Sequence, residues 1–147
     1  MNTFERIYGY STADVDAWIE REYGTICEIF SDYGEVYFRD IETETIKKIF
    51  NNGVNAAVVS TGGGSVLREE NVRIFKKNGK IVYLRATLDT LIARLEGDRT
   101  RPLLKCDINE RLAKLMNERS ELYERVADVI IDTDDLTPEQ ILAKIFK

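Results

Sequence analysis

The residues placed to do chemistry in this chain are carboxylates, guanidinium groups and a run of three glycines. The stretch Ala56-Ala57-Val58-Val59-Ser60-Thr61-Gly62-Gly63-Gly64-Ser65-Val66 is apolar and then becomes all glycine. Without a Cβ, successive glycines can turn their N–H groups toward one point and adopt backbone angles that other residues avoid. This pattern predicts a buried strand ending at a ligand, and the competing reading is a tight strand-to-helix turn with none. Asp14 and Asp16 are two apart, so they can act jointly only at a strand end or in a first helical turn. Arg39 and Arg119 stand alone, each as a surface charge or an anion ligand. Arg101 shares its segment with Arg99, and paired guanidinium forks suit phosphate oxygens. The chain contains no histidine, which removes Ser-His-Asp and Cys-His catalysis and every His-ligated metal site.

The elements that must hold these residues alternate in type. Ser11 to Tyr23 reads as a helix capped by Ser11 or Thr12, with Asp14 in its first turn and Val15, Trp18 and Ile19 on one face, and Gly24 ends it. Helical stretches follow from Ile26 to Phe30 and from Glu35 to about Phe50. The glycine strand comes next, then a helix-like mix from Ser65 to Lys77 and a turn at Asn78-Gly79. After these come a β-rich run Lys80–Leu84 and a helix Asp89–Leu95. A charged segment around 96–107 reads as a surface loop able to close over a ligand. A long helix from Asn109 to about Arg125, a last strand Val129–Thr133 and a helix opened by Thr137-Pro138-Glu139-Gln140 complete the chain. Alternating strands and helices imply an α/β three-layer sandwich with a parallel sheet, in a single domain over residues 1–147.

Composition narrows the function. A length of 147 residues suits one domain with a real core, and 44% apolar with 32% charged residues favours a folded chain over disorder. The net charge of −5 argues against a nucleic-acid partner bound through phosphate neutralisation, while leaving room for a local basic pocket. No apolar run approaches the roughly 20 residues that span a bilayer, and no signal-peptide pattern opens the chain, so the expected location is the cytoplasm without membrane association. Cys27 and Cys106 lack any metal or disulfide spacing and are expected to be reduced.

Taken together, Asp14-Val15-Asp16, Ile19-Glu20, Phe38-Arg39, Ser60-Thr61-Gly62-Gly63-Gly64, Arg101-Pro102-Leu103-Leu104, Arg119 with Leu122-Tyr123, and Ala127-Asp128 resemble the shikimate kinase family in order and spacing, from about Asp14 to the C-terminus. The resemblance implies a P-loop fold of nucleoside-monophosphate-kinase type and transfer of the γ-phosphoryl of ATP to the 3-hydroxyl of shikimate, with Mg²⁺ as cofactor. It gives Asp16 the shikimate hydroxyls and the orientation or deprotonation of the nucleophile. Arg39 and Arg119 would hold the substrate carboxylate, and Gly62, Gly63 and Gly64 the substrate-facing backbone. Arg101 would meet the ATP phosphates from a lid, Arg94 would stack on adenine, and Asp14 would lie near the magnesium shell. A monomer is implied.

One part of the family pattern is not found in these residues. The Walker A sequence GxxxxGK[ST], whose amides, lysine and hydroxyl hold phosphate and Mg²⁺, does not occur. Residues 1–12 hold one glycine and no lysine, too few for a strand, loop and crossover helix of about 30 residues. The fold is therefore expected without its N-terminal strand and P-loop helix, with unpaired sheet edges through which chains could self-associate. The alternative to an ATP-dependent phosphotransferase is a non-catalytic module binding shikimate or another small anion, and a bare oligomerising scaffold is a third reading.

Overall fold

The structure is a computed structural model that describes residues 11–51, 58–96 and 108–146. It divides into two compact units, Met1–Gly79 and Lys80–Lys147.

In the first unit, β1 (Thr12–Asp14) pairs in parallel with β2 (Val58–Ser60), in the register Thr12 to Val58, Ala13 to Val59 and Asp14 to Ser60. Between them run α1 (Val15–Tyr23), α2 (Ile26–Tyr33) and α3 (Glu35–Asn51). After β2 come a single 3-10 turn (Ser65–Leu67) and α4 (Glu69–Asn78). Two glycines set the breaks between the first three helices. Gly24 and Gly34 lie at φ 94° and 87°, where a Cβ is strained, and their N–H groups close on the carbonyls of Glu20 and Phe30. The Thr25 hydroxyl then caps α2 through the Glu28 N–H.

The first helix starts later than expected. Thr12 to Asp14 is extended and bonded to β2, so neither Ser11 nor Thr12 caps α1; Asp14 does, its Oδ1 accepting from the Ala17 N–H at 3.0 Å. Three residues gain more from a parallel ladder with the β2 residues, over forty positions on, than from another helical turn.

The core of this unit lies along one stripe of α3. Phe38, Ile41, Glu42, Thr45, Ile46 and Ile49 fall three or four residues apart, the spacing of one helix face, and all are buried. Val15, Ile19, Ile26, Ile29 and Phe75 are buried too, and Phe38 packs against Phe30 with ring centroids 4.7 Å apart. Thr45 is accommodated because its hydroxyl donates to the Ile41 carbonyl. Glu42 needs a different explanation, given below.

In the second unit, β3 (Val82–Arg85) pairs in parallel with β4 (Val129–Asp132), Val82 opposite Val129 through Arg85 opposite Asp132. The connection contains α5 (Leu88–Glu96) and α6 (Ile108–Val126), and α7 (Pro138–Ile145) follows β4. A reciprocal capping box opens α7, with the Thr137 hydroxyl on the Gln140 N–H and the Gln140 side chain on the Thr137 N–H. The Arg85 guanidinium grips Asp132 at 2.6 and 3.0 Å, and that forked pairing holds the Asp132 carboxyl below its usual range. Both pairs are parallel, as the α/β class requires. Among the described residues no helix is long and apolar enough to cross a membrane.

Candidate active site

The carboxyl end of the β1–β2 pair is where the predicted residues of the first unit meet. Asp14 ends β1, and Asp16 follows in the first turn of α1, half-buried. The two acids therefore occupy the strand-end and first-turn positions under which joint action was expected. Opposite them, β2 ends at Ser60 and the chain passes through Thr61 into Gly62, Gly63 and Gly64.

The glycine triplet is required for close approach, not for unusual backbone angles. Among the described residues positive φ occurs at Gly24, Gly34 and Asp135, and Gly64 sits at φ −90°, ψ −2°, open to any residue. The neighbours set the constraint. A Cβ on Gly62 would lie 3.2 Å from Asp16 Oδ1 and 3.5 Å from both Asp16 Oδ2 and Glu42 Oε2. A Cβ on Gly64 would overlap the Arg39 guanidinium, with Nη1 at 2.5 Å. Gly62 thus brings Asp16 and Glu42 to within 3.5 Å of one point, and Gly64 lets the Arg39 side chain lie against bare backbone. Gly63, between them, is exposed.

Arg39 is no surface charge. It is 8% exposed on α3, and Glu42, one turn on, is fully buried. Arg39 Nη1 donates to Glu42 Oε1 at 3.0 Å, while Glu42 Oε2 accepts from the Ser65 hydroxyl at 3.0 Å. Two opposite charges taken out of water need each other and further hydrogen bonds, and this pair has both. Arg39 Nε is buried without a hydrogen bond, with Glu35 Oε2 3.6 Å away. Glu42 was not singled out in the sequence, although a signal existed: an acid inside the apolar stripe of α3, three residues after an arginine, has to be neutralised by something.

The other expected residues belong to the second unit. Arg94 is on α5, where Nη1 donates to the Thr133 hydroxyl at 3.1 Å and Nη2 to the Thr133 carbonyl at 2.9 Å. Thr133 is buried just beyond β4, its hydroxyl donating to the Arg85 carbonyl. Arg119 is half-buried on α6. Arg101 and the expected lid around 96–107 lie outside the described residues, apart from Glu96 at the end of α5. The structure therefore brings together Asp16, Arg39, Gly62 and Gly64, with Asp14 one residue before the helix that carries Asp16.

Acid and guanidinium converge on a glycine loop at the carboxyl end of parallel strands, the place where α/β proteins bind their ligands. The shikimate kinase family profile matches residues 5–147, a span starting before Asp14. Shikimate kinase of Thermodesulfovibrio yellowstonii is 46% identical over 141 residues, covering 95% of this chain and 80% of that protein. Shikimate kinase of Geobacter sulfurreducens is 42% identical over 142 residues, covering 95% and 77%. Among solved structures, shikimate kinase from Acinetobacter baumannii in complex with shikimate superposes with a TM-score of 0.82 at 33% identity, over 97% of this chain and 79% of that one. The chain belongs to the shikimate kinase family.

Proposed function

We propose that this protein is an ATP-dependent phosphotransferase that converts shikimate to shikimate 3-phosphate, and that the site at the end of β1 and β2 is its acceptor half. The observation that carries this reading is the Arg39–Glu42 pair seated against Gly64, with Asp16 facing the same loop at Gly62. A ring carrying one carboxylate and several hydroxyls needs these groups. Arg39 supplies a planar donor fork for the carboxylate, with Arg119 as its expected partner. Asp16 accepts hydrogen bonds from the ring hydroxyls, and Gly62, Gly63 and Gly64 offer backbone at close range.

In the reaction the 3-hydroxyl oxygen forms a bond to the γ-phosphorus of ATP as the bond to the β,γ-bridging oxygen breaks. ADP leaves, and the hydroxyl proton passes to Asp16 acting as general base. Arg101 would neutralise charge on the transferring group, where electrostatic stabilisation is most of catalysis. Arg94 would stack on adenine. Mg²⁺ suits a site of few carboxylates completed by nucleotide phosphates and water, which fits Asp14 as an exposed oxygen donor at the strand end; the ion would draw charge from the phosphate oxygens. A lid over 96–107, a single-domain monomer and a cytoplasmic location complete the reading.

Two measurements test it. Purified chain given Mg²⁺-ATP and shikimate should release ADP in a coupled assay, dependent on shikimate. Calorimetric titration should show shikimate binding that Arg39→Ala abolishes. Shikimate binding without ADP release would leave the acceptor site and remove the kinase. Binding of neither ligand would refute the reading.

A further inference from the structure

We propose that Ser65 and Asn71 are positioning residues of the acceptor site. They clamp the glycine loop and, through Glu42, hold the Arg39 guanidinium in the orientation that receives the substrate carboxylate. The inference rests on the reading of Arg39 as the carboxylate ligand.

A continuous buried chain of hydrogen bonds carries it. Arg39 Nη1 meets Glu42 Oε1 at 3.0 Å, and Glu42 Oε2 takes the Ser65 hydroxyl at 3.0 Å. The Ser65 carbonyl accepts from Asn71 Nδ2 at 2.9 Å, and the Ser65 N–H returns to the Gly62 carbonyl at 3.1 Å. Glu42, Ser65 and Asn71 are all fully buried, so no water stands ready to replace a lost partner. Each link has one task. The serine hydroxyl fills the second oxygen of Glu42, which stops the carboxylate turning about its terminal torsion and taking the arginine with it. The Ser65 N–H closes the loop over Gly62 and Gly64. Asn71 fixes the Ser65 backbone from α4.

The asparagine shows why it is present. Its Oδ1 is buried and accepts no hydrogen bond, so the residue is kept for its amide donor alone. A leucine would fill similar space without stranding a polar atom, yet could not hold the Ser65 carbonyl. Neither Ser65 nor Asn71 needs to touch substrate. Their effect reaches it through the Arg39 guanidinium, which lies against the bare backbone of Gly64.

The test uses the full chain and two ligands: shikimate, and its analogue with a hydroxymethyl group in place of the carboxylate. Dissociation constants come from calorimetry, so the result does not depend on turnover. Ser65→Ala should weaken shikimate about tenfold, the order expected for one hydrogen bond to a charged group. It should change binding of the hydroxymethyl analogue less than twofold, because that ligand makes no demand on the guanidinium. Asn71→Leu, which removes the amide donor without stranding a polar atom, should give the same selective loss if Ser65→Ala proves unstable. Equal weakening of both ligands, or no weakening of shikimate, overturns the clamp while leaving Arg39 as the carboxylate ligand. If the unaltered chain does not bind shikimate, the acceptor-site reading fails and the clamp falls with it.

Discussion

Replacing Gly64 by alanine adds one methyl group where the structure has no room for it. The backbone at φ −90°, ψ −2° accepts alanine, so no backbone strain enters the comparison. The three atoms nearest the new Cβ all belong to Arg39, whose Nη1 would stand 2.5 Å away. Two relaxations are open. The loop can move outward, the usual response to overpacking, at about 1–3 kcal/mol. Alternatively Arg39 can swing away from Glu42, leaving a fully buried carboxylate without its cation, which costs about 3–5 kcal/mol. The cheaper route wins, so Gly64→Ala should lose about 1–3 kcal/mol in denaturant unfolding. Shikimate binding should weaken about tenfold or more if the proposed acceptor site is right, since either route displaces the glycine loop or Arg39. In an Arg39→Ala background the clashing atoms are gone, and adding Gly64→Ala should then change stability by less than about 0.5 kcal/mol. A Gly64→Ala protein with unchanged stability and unchanged shikimate affinity would refute the close-approach argument. An equal loss in both backgrounds would show that the methyl group clashes with something other than Arg39.

Other perturbations separate the roles of neighbouring residues. Glu42→Gln preserves shape but removes the charge facing Arg39, and should destabilise the fold by about 3–5 kcal/mol while raising the shikimate dissociation constant, both read by titration. Asp14→Ala removes the cap of α1 and should lose about 1 kcal/mol in chemical denaturation, whereas Asp14→Asn keeps the cap and should be nearly neutral. Any change in Mg²⁺ dependence that Asp14→Asn shows would then report its charge alone. The Asp132 carboxyl is held low by Arg85, so it contributes stability above the ordinary aspartate value, near pH 3.8, that is lost as pH falls through its lowered value. Asp132→Asn should flatten this acid limb in a pH series of unfolding curves and leave the slope above pH 5 unchanged.

Much of this architecture could be read in the sequence because single residues announce it. Gly24 and Gly34 stop α1 and α2 by taking angles closed to other residues, and Thr137 with Gln140 marks the start of α7. The β1 strand could not be read locally. Thr12-Ala13-Asp14 resembles a helix start until β2 supplies hydrogen bonds from across the unit. The site was legible as a set of residue types, since Asp16, Arg39 and the glycines stood out by spacing and by resemblance. The burial of Arg39 was hidden, because an arginine on a charged helix normally faces water. The link between Glu42 and Ser65 was hidden for a different reason: it joins residues 23 positions apart.

The pairing of Arg39 with Glu42 bears on how the protein responds to salt. A lone arginine attracts an anion through its long-range field, and added electrolyte screens that attraction within a Debye length of about 8 Å at physiological ionic strength. Here the field of Arg39 is largely cancelled by a fully buried carboxylate 3.0 Å away. What remains at Arg39 is short-range: N–H bonds fixed in direction and a shape cut to fit by Gly64. A carboxylate held by such donors is recognised by geometry more than by charge, so the contribution of Arg39 to shikimate affinity should persist as ionic strength rises.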